Sequence, residues 1–424
     1  MAISAVLEPL VIVALLAGGT LINRDPSSPR TRSYSSPARP YQSQDVESLE
    51  GPLLSEDSDS DGADWDRAQK SSTLTTCHVH EQKGNQIPLG PSARRRRTLR
   101  FWIWEGSVTT PNTALHTDRL LSRLLRRYPF LVEVWYWALI YWVYQLGRAF
   151  TAVTLQASTV DTAREHALQV VHLEQYLGIF VEVPIQQWFL AHPMLMRWTN
   201  KIYSFIHIPG TILFLIVLFY TTTTRPKRRV VEQSQAGSVS VKHWRERLGT
   251  FGPDVYERRR RTMAMCNLLA FFVFTFWPCM PPRLLSAPEY DGPNADEAKS
   301  FGFVDTVHGA DGDSSVWTSN KFCNQYAAMP SLHFGYSFLV GLTIASVPVR
   351  GTGCKGWKRV AIVCLGMIYP TVIACAIVAT ANHFILDAVA GATVCIIAWN
   401  LNGALLNLLP LEDYFLNALR IHKP

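Results

Sequence analysis

Six apolar runs, each close to twenty residues long, constrain the fold of this chain more than any other feature. They cover residues 129–150, 197–221, 262–281, 331–348, 359–380 and 384–409. A helix of about 20 apolar residues is long enough to cross the hydrocarbon core of a bilayer. The sequence therefore predicts an all-α polytopic membrane protein whose core is a six-helix transmembrane bundle.

Two further segments are predicted to associate with the membrane. Residues 3–22 are apolar but lack a basic start and a small-residue cleavage site, so a cleaved signal peptide is not expected. Glu8 and Pro9 leave open whether this N-terminal apolar segment spans the membrane or only anchors to it. Residues 158–192 have helical periodicity with charges on one side, which favours interfacial amphipathic helices.

The composition divides the chain into four predicted parts. These are an N-terminal membrane segment (1–24), a disordered cytosolic region with a basic juxtamembrane end (25–127), a transmembrane domain (128–410) and a cytosolic tail (411–424). The second part has few branched apolar residues and much charge, so it cannot bury enough surface to offset its chain entropy. Its Arg94–Arg97 run is predicted to be a cytosolic or lipid-headgroup patch.

Basic residues fall on alternate loops of the transmembrane domain. Residues 222–261 contain eleven Lys and Arg, whereas 158–192 and 282–330 are poor in them and hold several acids. Because cytosolic loops carry an excess of Lys and Arg, both ends of the six-span core are predicted to face the cytosol. A seventh span at residues 3–22 would place the extreme N-terminus outside. The net charge of +7 thus indicates membrane flanks, and no nucleic-acid partner is expected.

The cysteines do not predict a metal site. The chain has eight of them, without the CxxC spacing typical of zinc ligands. Cys279 and Cys323 both fall in a segment predicted to lie outside the cytosol, where a disulfide could form. Because there is no Asn-x-Ser/Thr sequence, N-glycosylation is not expected.

Three groups of polar residues converge on the predicted outer face. Arg283 follows the third core run, Ser331 and His333 open the fourth, and His383 and Asp387 open the sixth. Residues four apart on a helix share a face, so Asp387 can hold the His383 imidazole in one tautomer. A histidine held in this way can attack phosphorus, while a second histidine donates a proton to the leaving oxygen. His383, Asp387 and His333 are therefore the predicted catalytic residues.

Phosphoryl transfer also needs cations around the phosphate oxygens. Arg283 is the first candidate, because a guanidinium can grip two phosphate oxygens, and Ser331 could add a donor or simply cap its helix. Arg148, near the outer end of the first run, is a second candidate, with snorkelling to the interface as the equal alternative. His207 and Lys201 in the second run are further candidates.

Two stretches carry a family resemblance. AAMPSLHFGYSFLVG and ANHFILDAVAGA resemble the second and third motifs of the type 2 phosphatidic acid phosphatase superfamily. They are most similar to its inositolphosphotransferase branch, which contains fungal inositol phosphorylceramide synthase. The resemblance covers roughly residues 128–410. It implies a six-helix transmembrane core and metal-independent, cofactor-free chemistry, with His383 as nucleophile, Asp387 as its orienter and His333 as acid–base partner.

Some family positions differ. The first motif, Lys-x6-Arg-Pro, is absent, and Arg283 in PPRLL is the candidate replacement. Ala376 and Ile377 stand where the third motif usually has Ser-Arg, and the second motif reads PSLH rather than PSGH. The last two differences are shared with the inositolphosphotransferase and sphingolipid-synthase branches, so they favour a transferase over a plain lipid phosphatase.

The leading functional hypothesis is a lipid phosphotransferase of endomembranes, in the Golgi or ER, with a lumenal active site. Its partners would be a phospholipid donor and a lipid acceptor. It would pass a head group such as inositol phosphate to a lipid hydroxyl through a phosphohistidine. A lipid phosphate phosphatase, with water as acceptor, uses the same residues. A third alternative is a catalytically silent scaffold whose residues 25–115 recruit cytosolic partners.

Overall fold

Helices dominate the fold, as the apolar runs predict. The computed structural model describes residues 2–25, 93–101, 104–153, 157–228, 252–306, 325–348 and 355–424. The helices are α1 (Ala2–Ile22), α2 (Leu120–Arg127), α3 (Phe130–Val153), α4 (Ala157–Tyr176), α5 (Glu182–Leu190), α6 (Pro193–Lys201), α7 (His207–Phe219), α8 (Pro253–Phe276), α9 (Pro282–Leu285), α10 (Ala295–Ser300), α11 (Leu332–Ala345), α12 (Lys355–Ala379), α13 (Ile385–Leu401) and α14 (Leu409–Ala418). Two strands, β1 (Arg94–Phe101) and β2 (Trp104–Pro111), form a hairpin.

Three helical segments in the described part of the chain are long and apolar enough to cross a membrane. They are Pro193–Arg228, Gly356–Ala379 and Ile385–Ala418. The first joins α6 to α7 through a π-helical turn at Ile202–Ile206 and continues past a second one at Tyr220–Thr224. Shorter apolar helices cover Leu7–Ile22 and Leu332–Ala345. The length and composition of these segments are consistent with a membrane protein.

The other predicted core runs lie in α3, α8 and α11. α11 has only 14 residues. α8 begins with the charged stretch PDVYERRRR, and α3 contains Glu133 and several Trp and Tyr side chains of modest hydropathy. Each of these helices is therefore shorter or less apolar than a typical isolated span.

Glycines allow three helices to approach each other closely. At the contact of α11 with α12, a β-carbon on Gly366 would lie 2.6 Å from the carbonyl oxygen of Gly341. At the contact of α11 with α13, a β-carbon on Gly391 would overlap the carbonyl oxygen of Ser331. Small residues let helix backbones touch, which is typical of packing inside membranes. The position of α13 relative to α11 therefore depends on Gly391.

The ends of four helices meet at one end of the bundle, called here the site end. α8 and α12 end there, and α11 and α13 begin there. The connecting segments are hydrogen-bonded to each other: the Arg283 N–H donates to the Ala381 carbonyl at 2.8 Å, and the Ser331 N–H donates to the Asp387 carbonyl at 3.0 Å. These bonds bring residues from three separate segments together.

Helices α4 and α5 cover the site end. Apolar side chains of α4 form a buried cluster with others from the loop after α8 and the turn before α13, including Ala163, Ala167, Val171, Met280, Leu285 and Phe384. The sequence predicted interfacial helices with their charges on one side. Arg164, Glu174 and Glu182 are buried instead, because they bond to backbone groups of the site end.

Arginines of α8 lie at the opposite end of the bundle. Arg260 donates to both carboxylate oxygens of Glu133 at 2.6 and 2.7 Å, and the Arg259 guanidinium lies 3.3 Å from the ring centre of Trp399. Trp399 is fourteen positions after Ile385 in α13, which corresponds to about 21 Å along the helix axis. The residues that predicted the cytosolic face are therefore remote from the site end.

The prediction of disorder over residues 25–127 is wrong for residues 93–101 and 104–127. β1 and β2 pair antiparallel, from Arg94 opposite Pro111 to Phe101 opposite Trp104. Arg97 donates twice to Asp413 in α14, at 2.7 and 2.8 Å, so the predicted tail is partly helical and holds the hairpin. Local composition does not reveal a partner this distant in sequence. Residues 26–92 lie outside the described residues.

Candidate active site

His383 occupies the turn between α12 and α13 and is 6% exposed. Its Nδ1 lies 2.8 Å from the carbonyl oxygen of Ala328 and 3.5 Å from Oδ2 of Asp387. A carbonyl oxygen only accepts hydrogen bonds, so this contact assigns the proton to Nδ1 and leaves a lone pair on Nε2. The sequence predicted that Asp387 would fix the tautomer, but the closer partner is the carbonyl of Ala328.

Asp387 combines two tasks at the first turn of α13. Its Oδ2 accepts a hydrogen bond from the Phe384 N–H at 2.9 Å, which caps the helix. Its Oδ1 is buried without a hydrogen-bond partner among the described residues. The carboxylate thus places negative charge beside the His383 ring, where it would stabilise a cationic imidazole.

His333 is the second residue of α11 and faces the same region. Its ring centre lies 5.9 Å from that of His383. The Tyr203 ring stacks on it at 4.4 Å, and the His207 ring lies 5.1 Å away. The two histidines predicted from separate motifs are therefore neighbours, with aromatic rings supporting the second one.

A π-helical turn presents Tyr203 and His207 to His333. The turn spans Ile202–Ile206, and such turns often occur at functional positions in helices. His207 Nδ1 lies 2.7 Å from the hydroxyl of Tyr369 in α12, which links the turn to the neighbouring helix. His207 was a minor candidate from the sequence, and its ring lies next to that of His333.

Arg283 lies beside the turn that carries His383 and is 9% exposed. Its Nε donates to Oδ1 of Asn382 at 3.0 Å, and its Nη1 donates to Oδ2 of Asp305 at 2.8 Å. Asn382 directly precedes His383, so this bond ties the guanidinium to the same turn. The predicted phosphate ligand is therefore buried, charged and held next to His383.

The other predicted binding residues are less directly placed. Ser331 is fully buried and caps α11, its hydroxyl accepting from the Phe334 N–H at 3.4 Å. The side chain of Arg148 lies outside the described part of α3. Lys201 is exposed beside the Trp198 ring. Cys323 also lies outside the described residues. Cys279 is a buried free cysteine, so the disulfide with Cys323 that the sequence allowed is not formed.

Two buried carboxyl groups at the site end were not predicted. Oε1 of Glu182 accepts from the Ile385 N–H at 3.0 Å, and Oε1 of Glu174 accepts from the Leu386 N–H at 2.8 Å. Burial, and then the hydrogen bond and negative charge of Glu182, raise the pKa of Glu174 to about 9. One feature of the sequence could have revealed Glu174. It lies on the same helical face as Ala167 and Val171, and an acid is unexpected on the apolar face of a helix.

No group of three His, Cys, Asp or Glu side chains among the described residues is arranged to hold a metal ion. Beside the buried Glu174 and Glu182, the site end brings together the imidazoles of His333 and His383, the carboxylate of Asp387 and the guanidinium of Arg283. This combination provides a nucleophile, a proton donor and an anion-binding group for chemistry on a phosphate ester.

Comparison with known families agrees with this chemistry. The family model of the PAP2 superfamily matches residues 168–235 and 248–401, together more than half of the chain. The chain therefore belongs to the PAP2 superfamily, which indicates phosphatase or phosphotransferase activity on lipid-like substrates. The matched region contains all the site residues described above except Arg148. No curated protein and no solved structure matches the chain.

Proposed function

We propose that this chain is a membrane-embedded lipid phosphotransferase. It would move an inositol phosphate-like head group from a phospholipid to the hydroxyl of a lipid such as ceramide. The observation that carries this proposal is the Nδ1 contact of His383 with the Ala328 carbonyl, which frees Nε2 for attack, with His333 only 5.9 Å away between ring centres. Membership of the superfamily supports the reaction class.

In the first half-reaction, Nε2 of His383 attacks the phosphorus of the donor lipid. A phosphorus–nitrogen bond forms, and the phosphorus–oxygen bond to the diacylglycerol breaks. His333, protonated, gives its proton to the leaving oxygen, so diacylglycerol departs as a neutral alcohol. Asp387 stabilises the positive charge that develops on the His383 ring.

In the second half-reaction, the acceptor hydroxyl attacks the phosphohistidine. His333, now neutral, takes the hydroxyl proton as the new phosphorus–oxygen bond forms, and the phosphorus–nitrogen bond breaks. Both histidines then return to their starting protonation states. Because the same group serves as acid and then as base, no further proton carrier is required.

Arg283 is the proposed ligand of the non-bridging phosphate oxygens. Its bonds to Asn382 and Asp305 hold the guanidinium in one orientation, which lowers the entropy lost when a phosphate binds. Arg148 and Ser331 remain secondary candidates for the same task. A buried arginine close to His383 is the arrangement that charge stabilisation in phosphoryl transfer requires.

We further propose that the core comprises six spans, α3, the α6–α7 segment, α8, α11, α12 and α13. Both ends of this core would face the cytosol, and the site end would face the lumen of the ER or Golgi. The support is the distance between the basic residues of α8 and the site end, together with the alternation of basic loops.

The burial of the site favours transfer over hydrolysis. His383 and Asp387 are almost fully covered beneath α4 and α5, and exclusion of water protects a reactive phosphohistidine until a lipid hydroxyl arrives. The competing proposal is a lipid phosphatase in which water is the acceptor. A scaffold without catalysis is the third.

A head-group transfer assay with purified protein in lipid nanodiscs separates these proposals. The donor is phosphatidylinositol labelled in the inositol, offered with and without ceramide. Label in a new ceramide-dependent lipid is expected, and it should disappear in His383→Ala and Asp387→Asn but not in the control His192→Ala, which changes an exposed histidine. Normal transfer by His383→Ala would refute the mechanism. Label released into water would favour hydrolysis, and no reaction with any acceptor would favour a scaffold.

A further inference from the structure

Three successive backbone N–H groups at the start of α13 each donate to a different carboxyl group. Phe384 donates to Asp387, Ile385 to Glu182 and Leu386 to Glu174, at 2.9, 3.0 and 2.8 Å. The N–H groups of a first helical turn have no partner within their own helix, and negative charge is favourable there. The turn that carries His383 is therefore anchored by acids from α4, from α5 and from α13 itself.

The remaining oxygens of Glu174 and Glu182 require a proton. Oε2 of each residue is buried without a hydrogen-bond partner among the described residues. Their Oε1 atoms accept from the adjacent N–H groups of Leu386 and Ile385, which makes the two carboxyl groups neighbours. Two ionised carboxylates have only acceptors, so neither of these buried oxygens could satisfy the other. A single proton between them satisfies both oxygens and leaves the pair with one negative charge.

The surroundings of the pair favour keeping this proton. The titratable groups that face it are Asp387 from α13, which adds further negative charge, and the thiol of Cys279, which is buried. Within the described part of the chain, Glu174 and Glu182 make no ion pair that could neutralise a second charge. Full ionisation would place three carboxylates together beside a site that must accept an anionic phosphate.

We propose that Glu174 and Glu182 share one proton and act as a positioning pair that holds the start of α13, and with it His383 and Asp387, during phosphoryl transfer. The catalytic part of this inference rests on the proposed function, whereas the shared proton does not. Neither residue needs to touch the substrate. Small displacements of a reacting group are costly, so a loosened first turn of α13 would lower the rate.

The shared proton has a defined consequence for stability. The pKa of Glu174 rises from its ordinary 4.5 to about 9, chiefly through burial. A carboxyl group with a raised pKa contributes its full stability below the ordinary value and loses it as pH rises towards the folded-state value. Stability should therefore fall between about pH 5 and 9 in the native protein, and less so in Glu174→Gln, which is uncharged throughout.

Infrared spectroscopy of the purified protein in nanodiscs tests the proton without any activity assay. At neutral pH we expect the carbonyl band of a buried, protonated carboxylic acid. Glu174→Gln and Glu182→Gln should each remove it, since the glutamine amide then donates to the remaining carboxylate. Glu165→Gln, which changes an exposed acid of the same helix, should retain it. A band that survives both pair variants would overturn the shared proton, whatever the protein catalyses.

Rate and stability profiles test the positioning. Glu174→Gln keeps an acceptor for the Leu386 N–H, so we expect at least half of the native transfer rate at neutral pH and a smaller fall in both rate and unfolding temperature towards pH 9. Glu174→Ala loses the acceptor, and we expect a rate at least tenfold lower. Native rates in Glu174→Ala, or an alkaline decline in Glu174→Gln equal to that of the native protein, would overturn the positioning role. If Glu174→Ala does not fold, the glutamine profile decides.

Discussion

Two aromatic rings of the α6–α7 segment support His333. Tyr203 stacks on its imidazole at 4.4 Å, and His207, four residues later on the same helix, lies at 5.1 Å. A flat ring above the imidazole restricts its rotation without fixing its charge. This arrangement suits the acid–base role proposed for His333, in which the ring is protonated in one half-reaction and neutral in the next.

We expect Tyr203→Ala to lower the transfer rate about tenfold, which corresponds to about 1.4 kcal/mol, because it removes the stacking surface. Tyr203→Phe keeps the ring and is expected to stay within about threefold of the native rate. The measurement is kcat for head-group transfer by both variants. Equal rates for the alanine and phenylalanine variants would contradict a role for ring stacking.

Sequence reasoning could find the residues that carry recognisable chemistry, but not those that support them. His333, His383 and Asp387 were predicted from spacing and motif resemblance, and they lie together. Glu174 and Glu182 were missed because their partners are backbone N–H groups some 200 positions later, and backbone groups leave no mark in a sequence. The carbonyl of Ala328, the closest partner of Nδ1 of His383, was missed for the same reason.

At the scale of elements, the site depends on how closely α13 approaches α11. The Ser331 carbonyl lies against the α-carbon of Gly391, and the Ser331 N–H donates to the Asp387 carbonyl at 3.0 Å. Backbone contacts thus connect the start of α11, which lies in the second motif, to α13, which lies in the third. The contact leaves no space for a methyl group at position 391.

Gly391→Ala is therefore expected to separate the two helices. Overpacking of this kind costs about 1–3 kcal/mol, and the shift should also lower the transfer rate because it moves His383 relative to His333. Thermal unfolding and kcat in nanodiscs measure the two effects. The matched control is Gly403→Ala, since no heavy atom lies within 4 Å of a β-carbon at that position. Equal unfolding temperatures for the two variants would contradict the close contact.

Helices could be predicted from the sequence where their apolar residues form long runs. Long apolar runs predicted the helices of the core, although α11 is shorter than its run and α8 ends at Phe276, before its run does. The hairpin of β1 and β2 was not predictable, because RRRRTLRF has five arginines in eight residues and reads as a solvated segment. Its stability comes from contacts with α14, which propensity does not encode.

At the scale of the whole molecule, the hairpin and α14 form a clasp at the end opposite the site. Asp413 accepts two hydrogen bonds from Arg97 and one from the Thr110 hydroxyl at 2.8 Å. Nearby, Glu412 bonds to Tyr136 at 2.6 Å and to Lys423 at 2.9 Å, which ties the same helix to α3. This layer therefore connects residues that precede the core helices in the sequence with residues that follow them.

We expect Asp413→Asn to lower the free energy of unfolding of this layer by about 1–3 kcal/mol, because it removes the carboxylate that Arg97 contacts directly. Limited proteolysis within residues 93–111 should then become faster, while transfer stays near native because the site lies at the other end. The control is Glu105→Gln, which removes an exposed ion pair with Arg100 and should change stability by less than about 0.5 kcal/mol. Equal protease resistance of both variants would contradict the clasp.

The clasp also orders events during synthesis. Arg97 and Asp413 are 316 positions apart, so at about 5–20 residues per second the ribosome needs about 15–60 s to deliver the second after the first. Every core helix is made and can enter the membrane within that interval. The hairpin can therefore contact α14 only after the helices of the bundle have been synthesised. The contact between Arg97 and Asp413 is thus a late step of folding and does not nucleate it.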